Sequence, residues 1–315
     1  MACPNPLRLL LGAVSVAALS SSPATAVVTF GSGDPAHNTT APTGLLAGSG
    51  WQYLGNWNGF VGTQISANQF ITAAHVGGSV GGSFIGSDGI AYTTTAVATR
   101  NDLAVWTVSG QLPTAAPLYR GTSETSLDMV LFGRGVGRGA EVSAPSSTDA
   151  NRLRGWEWGS NAALRWGTNR FDFAQSSYAG VGPALIGDFD RNGGAEESTV
   201  SGGDSGGAAF VRNGSEWQLA GIIFGVQSTV RTTPSGPNLS AAIFDLGGLY
   251  NSSGNLITTD QSFDIPASFV VSRVSANQAW IASQSATQVP ETSTWAAVLM
   301  AGVAGAGSWF RRRTS

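Results

Sequence analysis

Glycine constrains this chain most, because 43 of its 315 residues are glycine and they recur between short apolar runs. Residues 69–73, 103–108, 128–132, 207–211 and 218–224 are such runs, and clusters of Gly, Ser, Thr and Asn separate them. Short apolar runs between turn residues are typical of β-strands, and long stretches of helical periodicity are nearly absent. The sequence therefore predicts an all-β fold of barrels or sandwiches.

Length and composition are compatible with a chain that folds around its own core. A chain of 315 residues allows one large domain or two small ones. Hydrophobic residues make up 42% and charged residues only 11%, so there are enough apolar side chains to fill an interior.

Three short segments supply a histidine, an aspartate and a serine, in that order along the chain. They are residues 72–75 (TAAH), 101–104 (NDLA) and 203–207 (GDSGG). A serine hydroxyl becomes a good nucleophile when a base takes its proton, and that base needs an acid to hold its tautomer. Glycines around Ser205 would let a tight turn expose the hydroxyl and direct backbone N–H groups at a developing oxyanion. Each segment alone also fits an ordinary turn or a structural role, whereas the three together indicate nucleophilic catalysis.

The histidine content narrows the choice of base, since His37 and His75 are the two histidines of the chain. His37 lies in a polar run that is typical of a solvated loop. His75 ends the apolar run 70–74, which predicts a buried strand entering a small-residue turn. Asp102 directly precedes an apolar strand, where burial beside an imidazole would suit it. We therefore expect His75 and Asp102 to act with Ser205.

With these motifs the chain resembles the trypsin-like serine proteases of the chymotrypsin fold. The resemblance covers about residues 45–285, and GDSGG together with TAAH are its most specific parts. Residues 101–105 (NDLAV) and 219–223 (LAGII) are similar to two further segments of that family.

The resemblance implies two six-stranded Greek-key barrels with the active-site cleft between them and a short C-terminal helix, for which residues 272–282 have near-helical apolar spacing. It implies Ser205 as nucleophile, His75 as general base and acid, Asp102 as orienting acid, and the N–H groups of Gly203 and Ser205 as oxyanion hole. The implied reaction is hydrolysis of a protein or peptide substrate through an acyl-enzyme, with no metal and no organic cofactor.

The substrate pocket departs from the trypsin pattern. Thr199 stands six residues before the nucleophile, at the position of the pocket floor, where trypsin-type enzymes carry an acid. Phe224 and Gly225 belong to the segment that forms the pocket wall, where Ser-Trp-Gly is usual. We therefore expect an uncharged pocket that does not select arginine or lysine.

Asp204, the residue before the nucleophile, needs a partner in this family. In many relatives that partner is a new N-terminal amine, which here would be Val27, and in some bacterial relatives it is an internal arginine. Arg134 and Arg138 are the internal candidates. We expect one of them to pair with Asp204, which would make the enzyme active without proteolysis.

Both ends of the chain have the composition of targeting segments. Residues 1–26 predict a secretory signal peptide, cut by signal peptidase after Ala26, and their short apolar run disfavours the alternative of a membrane-spanning helix. Cys3 would leave with this segment, so the mature protein would contain no disulfide and would depend on its core.

Residues 289–315 resemble a PEP-CTERM sorting tail, which exosortase-type machinery processes in Gram-negative bacteria. Thr292 replaces the second proline of that motif, an apolar stretch follows, and three arginines favour a cytoplasmic end. The alternative is a plain C-terminal anchor. Together the two ends predict an exported protein, at the cell surface, in the periplasm or in the extracellular matrix, with transient or permanent anchoring around a protease domain at 27–288.

The remaining body is mildly acidic. Without Arg8, Glu291 and the arginines at 311–313, 12 basic and 18 acidic residues remain, a net charge of −6. Such a balance gives no sign of nucleic-acid binding.

Two further features have alternative interpretations. Residues 188–193 match the first half of a calcium loop, but the twelfth position is Thr199 and not glutamate, which favours a polar turn beside the cleft. An aromatic set is expected to pack between or across the barrels, with a carbohydrate-binding face as the alternative: Trp156, Trp158, Trp166 and Phe171.

The sequence leaves two function classes open. The first is a secreted serine endopeptidase. The second is a catalytically silent protease-fold binding protein at the cell surface. Silent relatives usually lack a triad member, and this chain retains all three, which favours the enzyme.

Overall fold

The structure is a computed structural model and describes residues 27–286, so the predicted signal peptide and sorting tail lie outside the described residues. None of the helices between residues 27 and 286 has the length and apolar character needed to cross a membrane. The elements, in chain order, are β1 (Val28–Thr29), β2 (Leu54–Trp57), β3 (Phe60–Ser66), β4 (Gln69–Ala73), β5 (Ser83–Ile85), β6 (Ala91–Arg100), β7 (Leu103–Val108), β8 (Met129–Gly133), β9 (Val136–Ala144), β10 (Arg152–Ala162), β11 (Arg165–Asn169), β12 (Phe173–Tyr178), β13 (Gly182–Asp188), β14 (Ser198–Thr199), β15 (Ala208–Asn213), β16 (Glu216–Val226), β17 (Thr229–Val230), β18 (Leu239–Ile243), β19 (Ser268–Arg273) and the helix α1 (Gln278–Ala286).

The predicted all-β character and the short C-terminal helix are confirmed. Each of the five short apolar runs overlaps a strand, namely β4, β7, β8, β15 and β16, although the runs 128–132 and 207–211 begin one residue before theirs. The helix begins later than its apolar spacing predicts, because Ser272 and Arg273 are still part of β19, where they pair with β13 and β16. The chain turns through a short 3₁₀ segment, Ser275–Asn277, before α1 begins.

The first six strands after β1 close into a barrel, in the order β2-β3-β4-β7-β6-β5, with β5 paired back to β2. Aromatic side chains fill its interior. The rings of Phe70 and Phe84 are stacked with centroids 3.9 Å apart, and the ring centroids of Trp57 and Trp106 are 4.7 Å apart. Gly55 lies so close to this cluster that a Cβ there would stand 2.3 Å from the Phe84 ring. Glycine on β2 is therefore required for the large rings to fit.

A second closed barrel is not confirmed. The later strands form a seven-stranded antiparallel sheet, in the order β11-β8-β15-β16-β19-β13-β12. Where β11 would meet β13, the Asn169 side-chain amide donates to the Asp188 carbonyl at 2.6 Å, and the Asp172 N–H donates to the Ile186 carbonyl at 2.8 Å. Strand β12 then takes the free edge of β13, with Phe173 opposite Ile186. A side chain and a turn thus occupy the position at which a ladder would close the sheet.

A long connection between β16 and β19 adds a small subassembly. It contributes β17 and β18, and β18 pairs with β10 in a four-stranded sheet of order β17-β18-β10-β9. The buried apolar side chains beneath it form a separate core cluster that includes Val142, Val230, Ala241, Ile243 and Leu249.

Buried ion pairs join this connection to β10. Arg154 is fully buried and pairs with Asp245, which is also buried, and its second terminal nitrogen lies 2.7 Å from Asp260. Asp264 bridges two further arginines, Arg152 at 2.7 Å and Arg191 at 2.6 Å. Paired charges of this kind specify how the connection docks, since no single member can lose its partner without a large cost.

The four aromatic residues singled out in the sequence do not form one cluster. Trp156 packs edge-on against Phe30, Phe189 and Phe244, with centroids 5.2–6.2 Å apart. Trp158 packs against the same cluster and also against Gly202. The other two lie elsewhere: Phe171 is in the core of the seven-stranded sheet, and the indole N–H of Trp166 donates to the Thr40 carbonyl.

We predict that Arg154→Met lowers the free energy of unfolding by about 3 kcal/mol, because it removes the fully buried cation beside Asp245 and leaves that carboxylate only Arg152, 3.4 Å away, as an ion-pair partner. Arg170→Met is the matched control, since Arg170 forms an exposed pair with Asp128 and should lose less than about 1 kcal/mol. Urea unfolding followed by tryptophan fluorescence measures both. Equal losses in the two variants would contradict the importance of the buried pair.

Candidate active site

Ser205 lies in the tight turn between β14 and β15, and its Oγ is 2.7 Å from Nε2 of His75. Gly203 and Gly206 in this turn have φ angles of 96° and 75°, which residues other than glycine rarely adopt. A Cβ on Gly206 would also stand 2.2 Å from Oγ1 of Thr72 on β4. The glycines therefore allow the turn to press against the barrel and bring the serine to the histidine.

His75 and Asp102 are held together by both backbone and side-chain hydrogen bonds. The Nδ1 atom of His75 lies 2.9 Å from each carboxylate oxygen of Asp102. The backbone N–H of His75 donates to the same carboxylate at 3.0 Å, and the Ala74 N–H donates to the Asp102 carbonyl at 2.8 Å. His75 follows directly on β4 in a 3₁₀ turn, Ala74–Val76, so its position is fixed by the barrel.

Burial and charge differ between these two residues. Asp102 is nearly buried in the turn between β6 and β7, where Asn101 adopts a φ of 51° that asparagine tolerates. The His75 side chain is 39% exposed. Its hydrogen bond to Asp102 raises the pKa of His75 above the ordinary value, against the opposing effect of desolvation. The imidazole is therefore a stronger base than a free histidine and still reaches solvent.

Two backbone N–H groups beside the serine hydroxyl are unpaired. Within residues 27–286, those of Gly203 and Ser205 donate no hydrogen bond, whereas the Gly206 N–H binds the Ile223 carbonyl at 2.9 Å. Free N–H groups on a rigid turn are suited to stabilising a negative oxygen.

Asp204 is completely buried, and its hydrogen-bond donors are backbone N–H groups and a serine hydroxyl, while Arg165 interacts with it electrostatically. Its carboxylate accepts from the N–H groups of Gly135 and Ser201, both at 2.7 Å, and from the Ser201 hydroxyl at 3.0 Å. The N–H of Val27 is a further donor. Desolvation raises the pKa of Asp204 to about 6 in spite of these bonds.

The expected pairing of Asp204 with Arg134 or Arg138 is not found in the described residues. Arg138 donates to the Phe30 carbonyl at 3.0 Å and lies 3.6 Å above the Trp156 ring. Arg134 leaves its Nε buried without an acceptor. The segment that contains Arg134 and Arg138 does contact Asp204, as the sequence predicts. The contact is made by the backbone N–H of Gly135, however, and not by a guanidinium group of either arginine.

The three predicted pocket residues are not all brought together. Phe224 and Gly225 line a cavity of about 420 Å³, with Phe173, Tyr178 and Val270 among its other walls. Thr199 is not among those lining residues; it is buried on β14, pairs with Val28, and its Oγ1 has no hydrogen-bond partner.

The role of Phe224 beside the histidine was not evident from the sequence. Strand β16 has a register shift between Ile223 and Gly225, so Phe224 is the extra residue of a β-bulge. Its ring stands edge-on to the His75 ring, with centroids 5.5 Å apart. Bulges commonly re-aim a side chain next to an active site, and no local sequence signal announces this one.

A search of protein-family models found no match to this chain, and a search of curated proteins found none either. The inference of function therefore depends on the geometry of the site.

An acidic cluster lies at the loop that resembles half a calcium site. Burial, together with repulsion from Asp172 and Asp190, raises the pKa of Glu197 to about 8 and that of Asp188 to about 7. Among the residues that the structure describes, no three His, Cys, Asp or Glu side chains are arranged to hold a metal ion. Asp190 and Glu197 line a cavity of about 510 Å³ with Arg212, at the end of β15 remote from Ser205. The loop is thus farther from the candidate catalytic residues than the sequence predicts.

We predict that the free energy of unfolding falls as the pH rises from about 4 to 8 because of this cluster. The folded-state pKa values of Glu197 and Asp188 lie above the ordinary values of 4.5 and 3.8, so the native state binds more protons in that window. Glu197→Gln should flatten the dependence and stabilise the protein at pH 8.5 by more than about 1 kcal/mol.

Thermal and urea unfolding at pH 5, 7 and 8.5 test this. Glu216→Gln, which changes an exposed carboxylate on β16, is the control and should leave the pH dependence unchanged. Stability that stays constant or rises with pH would contradict the prediction.

Proposed function

We propose that this chain is a secreted serine endopeptidase that hydrolyses peptide bonds through an acyl-enzyme. The observation that carries the proposal is the continuous hydrogen-bond chain from Ser205 Oγ to His75 Nε2 at 2.7 Å and from His75 Nδ1 to both Asp102 oxygens at 2.9 Å. This is the geometry that an activated serine requires.

In this mechanism each group has one task. His75 Nε2 takes the proton of Ser205 as Oγ attacks the substrate carbonyl carbon, and Asp102 stabilises the imidazolium that forms. The N–H groups of Gly203 and Ser205 bind the oxygen that becomes negative. His75 then gives the proton to the leaving amine, and a water molecule releases the acyl group by the reverse steps. Because His75 must begin neutral, activity is lost as the pH falls below its raised pKa.

Membership of the chymotrypsin-fold family is part of the proposal. Its support is that a closed six-stranded barrel carries His75 and Asp102, while Ser205 immediately precedes β15 of the second sheet. Six of the seven strands of that sheet would then correspond to the strands of a second barrel that is not closed. Export by a signal peptide, and sorting or anchoring by an exosortase-type system, are proposed from the terminal segments alone.

The cavity beside the candidate base supports a preference for uncharged, apolar side chains. Most of its walls are aromatic or aliphatic, including Phe173, Tyr178, Ile186, Phe224 and Val270, and its polar walls, Gln175, Gln227 and Ser268, are uncharged. No arginine, lysine, aspartate or glutamate is among its lining residues in the described chain. A charged substrate side chain would lose hydration there without a partner.

A fluorophosphonate probe, which reacts with activated serines, tests the proposal directly. The chain starting at Val27 should be labelled, Ser205→Ala should not, and His75→Ala should be slower by at least about a thousandfold. Ser253→Ala, which removes an exposed hydroxyl elsewhere, is the control and should be labelled like the parent protein. A folded chain that no probe labels would instead favour the silent binding protein.

Val27 suggests how such an enzyme would become active. It is 1% exposed, and its backbone nitrogen already donates to Asp204. Cleavage after Ala26 would turn that nitrogen into an ammonium group and the neutral hydrogen bond into a buried ion pair. Signal peptidase would then both release the protein and complete the pocket behind Ser205.

We predict that a Gly-Ser extension before Val27 slows fluorophosphonate labelling by about tenfold or more, because the amide that replaces the amine carries no charge. Labelling of the chain that begins at Val27 should also fall above about pH 8, where an α-amino group loses its proton. Equal rates for the two chains would show that Asp204 needs only the N–H group.

A further inference from the structure

A third cavity, of about 560 Å³, lies where the start of the barrel meets the turn between β8 and β9, and it has a different character from the cavity at Phe224. Its walls include Trp51, Leu54 and Asn56 at the start of the barrel, Asp88 from the loop before β6, and Arg134 from the turn between β8 and β9. It shares no lining residue with the cavity at Phe224.

The nucleophile turn packs against the two segments that supply Arg134 and Phe224 to these cavities. At one end, a Cβ on Gly203 would stand 2.9 Å from Cα of Gly135 and 3.7 Å from the carbonyl oxygen of Arg134. At the other end, the Gly206 N–H binds the carbonyl of Ile223, the residue before Phe224. The segment that carries Arg134 thus adjoins the Gly203 end of the turn, and the segment that carries Phe224 adjoins the Gly206 end.

The guanidinium group of Arg134, which lines this cavity, has no ion-pair partner in the described chain. Its Nε is buried without a hydrogen-bond acceptor, and no carboxylate in the described chain forms an ion pair with it. Asp88 lines the same cavity, but its carboxylate accepts from the Ile90 N–H at 3.0 Å and the Tyr92 hydroxyl at 2.8 Å. Desolvation lowers the pKa of Arg134, and no neighbouring acid offsets that effect. A guanidinium that has lost hydration and gained no anion is suited to a carboxylate that arrives with a ligand.

We propose that Arg134 binds a carboxylate of the substrate, on the side of the scissile bond opposite to the apolar side chain held at Phe224. This inference rests on the proposed function and names its substrate class: peptides that carry an apolar residue on one side and a negative charge on the other. The carboxylate belongs to an aspartate or glutamate side chain or to the C-terminus of a short substrate.

Matched internally quenched peptides test the proposal. Each has apolar residues on one side of the cleaved bond and differs on the other side by Glu or Gln in an amidated peptide, or by a free or amidated C-terminus in a neutral one. We expect kcat/KM to be about ten- to a hundredfold higher for the charged member of one pair, as for other charge-assisted contacts. The pair that responds identifies which carboxylate Arg134 binds.

Three variants assign the preference to Arg134. Arg134→Gln should abolish the charge preference, so that the charged and neutral members of each peptide pair are cleaved with equal kcat/KM. Arg134→Lys should retain part of the preference. Arg120→Gln removes the same charge from an exposed position and should change nothing. Equal kcat/KM within both peptide pairs, or a preference that survives in Arg134→Gln, would overturn the proposal.

A binding measurement separates this proposal from the proposed function. In Ser205→Ala, fluorescence anisotropy of the labelled peptides should show weaker binding of the neutral member, and Arg134→Gln should remove the difference. If the parent chain is not labelled by the probe but this charge-selective binding persists, the enzyme proposal fails and the carboxylate site stands. If the parent is labelled and binding ignores charge, the carboxylate site fails alone.

Discussion

One buried carboxylate, that of Asp204, organises the segment that presents the nucleophile. It has no exposed surface, and N–H groups of Gly135, Ser201 and Val27 donate hydrogen bonds to it in place of water. A Cβ on Gly133 would stand 1.9 Å from this carboxylate, so the surrounding backbone approaches as closely as glycine allows. Three segments distant in sequence therefore share one acceptor, and each buried donor would cost about 1–3 kcal/mol if it were left without that acceptor.

The two halves of the site meet across packed surfaces rather than covalent links. The barrel supplies the base and the acid, while the seven-stranded sheet supplies the serine turn. A single apolar cluster, including Ile71, Leu103, Phe132 and Phe210, spans both bodies. Close packing of this kind has little tolerance for volume changes. The 2.7 Å separation between Ser205 and His75 therefore depends on the whole interface and not only on the residues at the cleft.

The features that follow from local sequence could be predicted, and those that depend on distant pairing could not. Strands β4 and β7 match their apolar runs residue for residue, and the motifs led to the three residues that the structure brings together. The opening of the second sheet depends on one side chain, that of Asn169, which bonds a carbonyl on another strand. Two hydrogen-bond donors to Asp204 are backbone N–H groups, which every residue except proline possesses, so no residue type in the sequence marks them.

The bulge in β16 means that strand length, as well as residue identity, encodes the surroundings of His75. Side chains alternate between the faces of a strand, so one extra residue reverses the alternation for everything after it. Gly225 pairs with Val270, next to the pairing of Ile223 with Val271, and Phe224 is left to turn toward the imidazole. Substitution at Phe224 changes only the side chain beside the histidine. Deleting a residue there reverses which side chains of the strand face each side and brings a different side chain to the histidine. Strand β16 can therefore accept a substitution at Phe224 more readily than an insertion or a deletion.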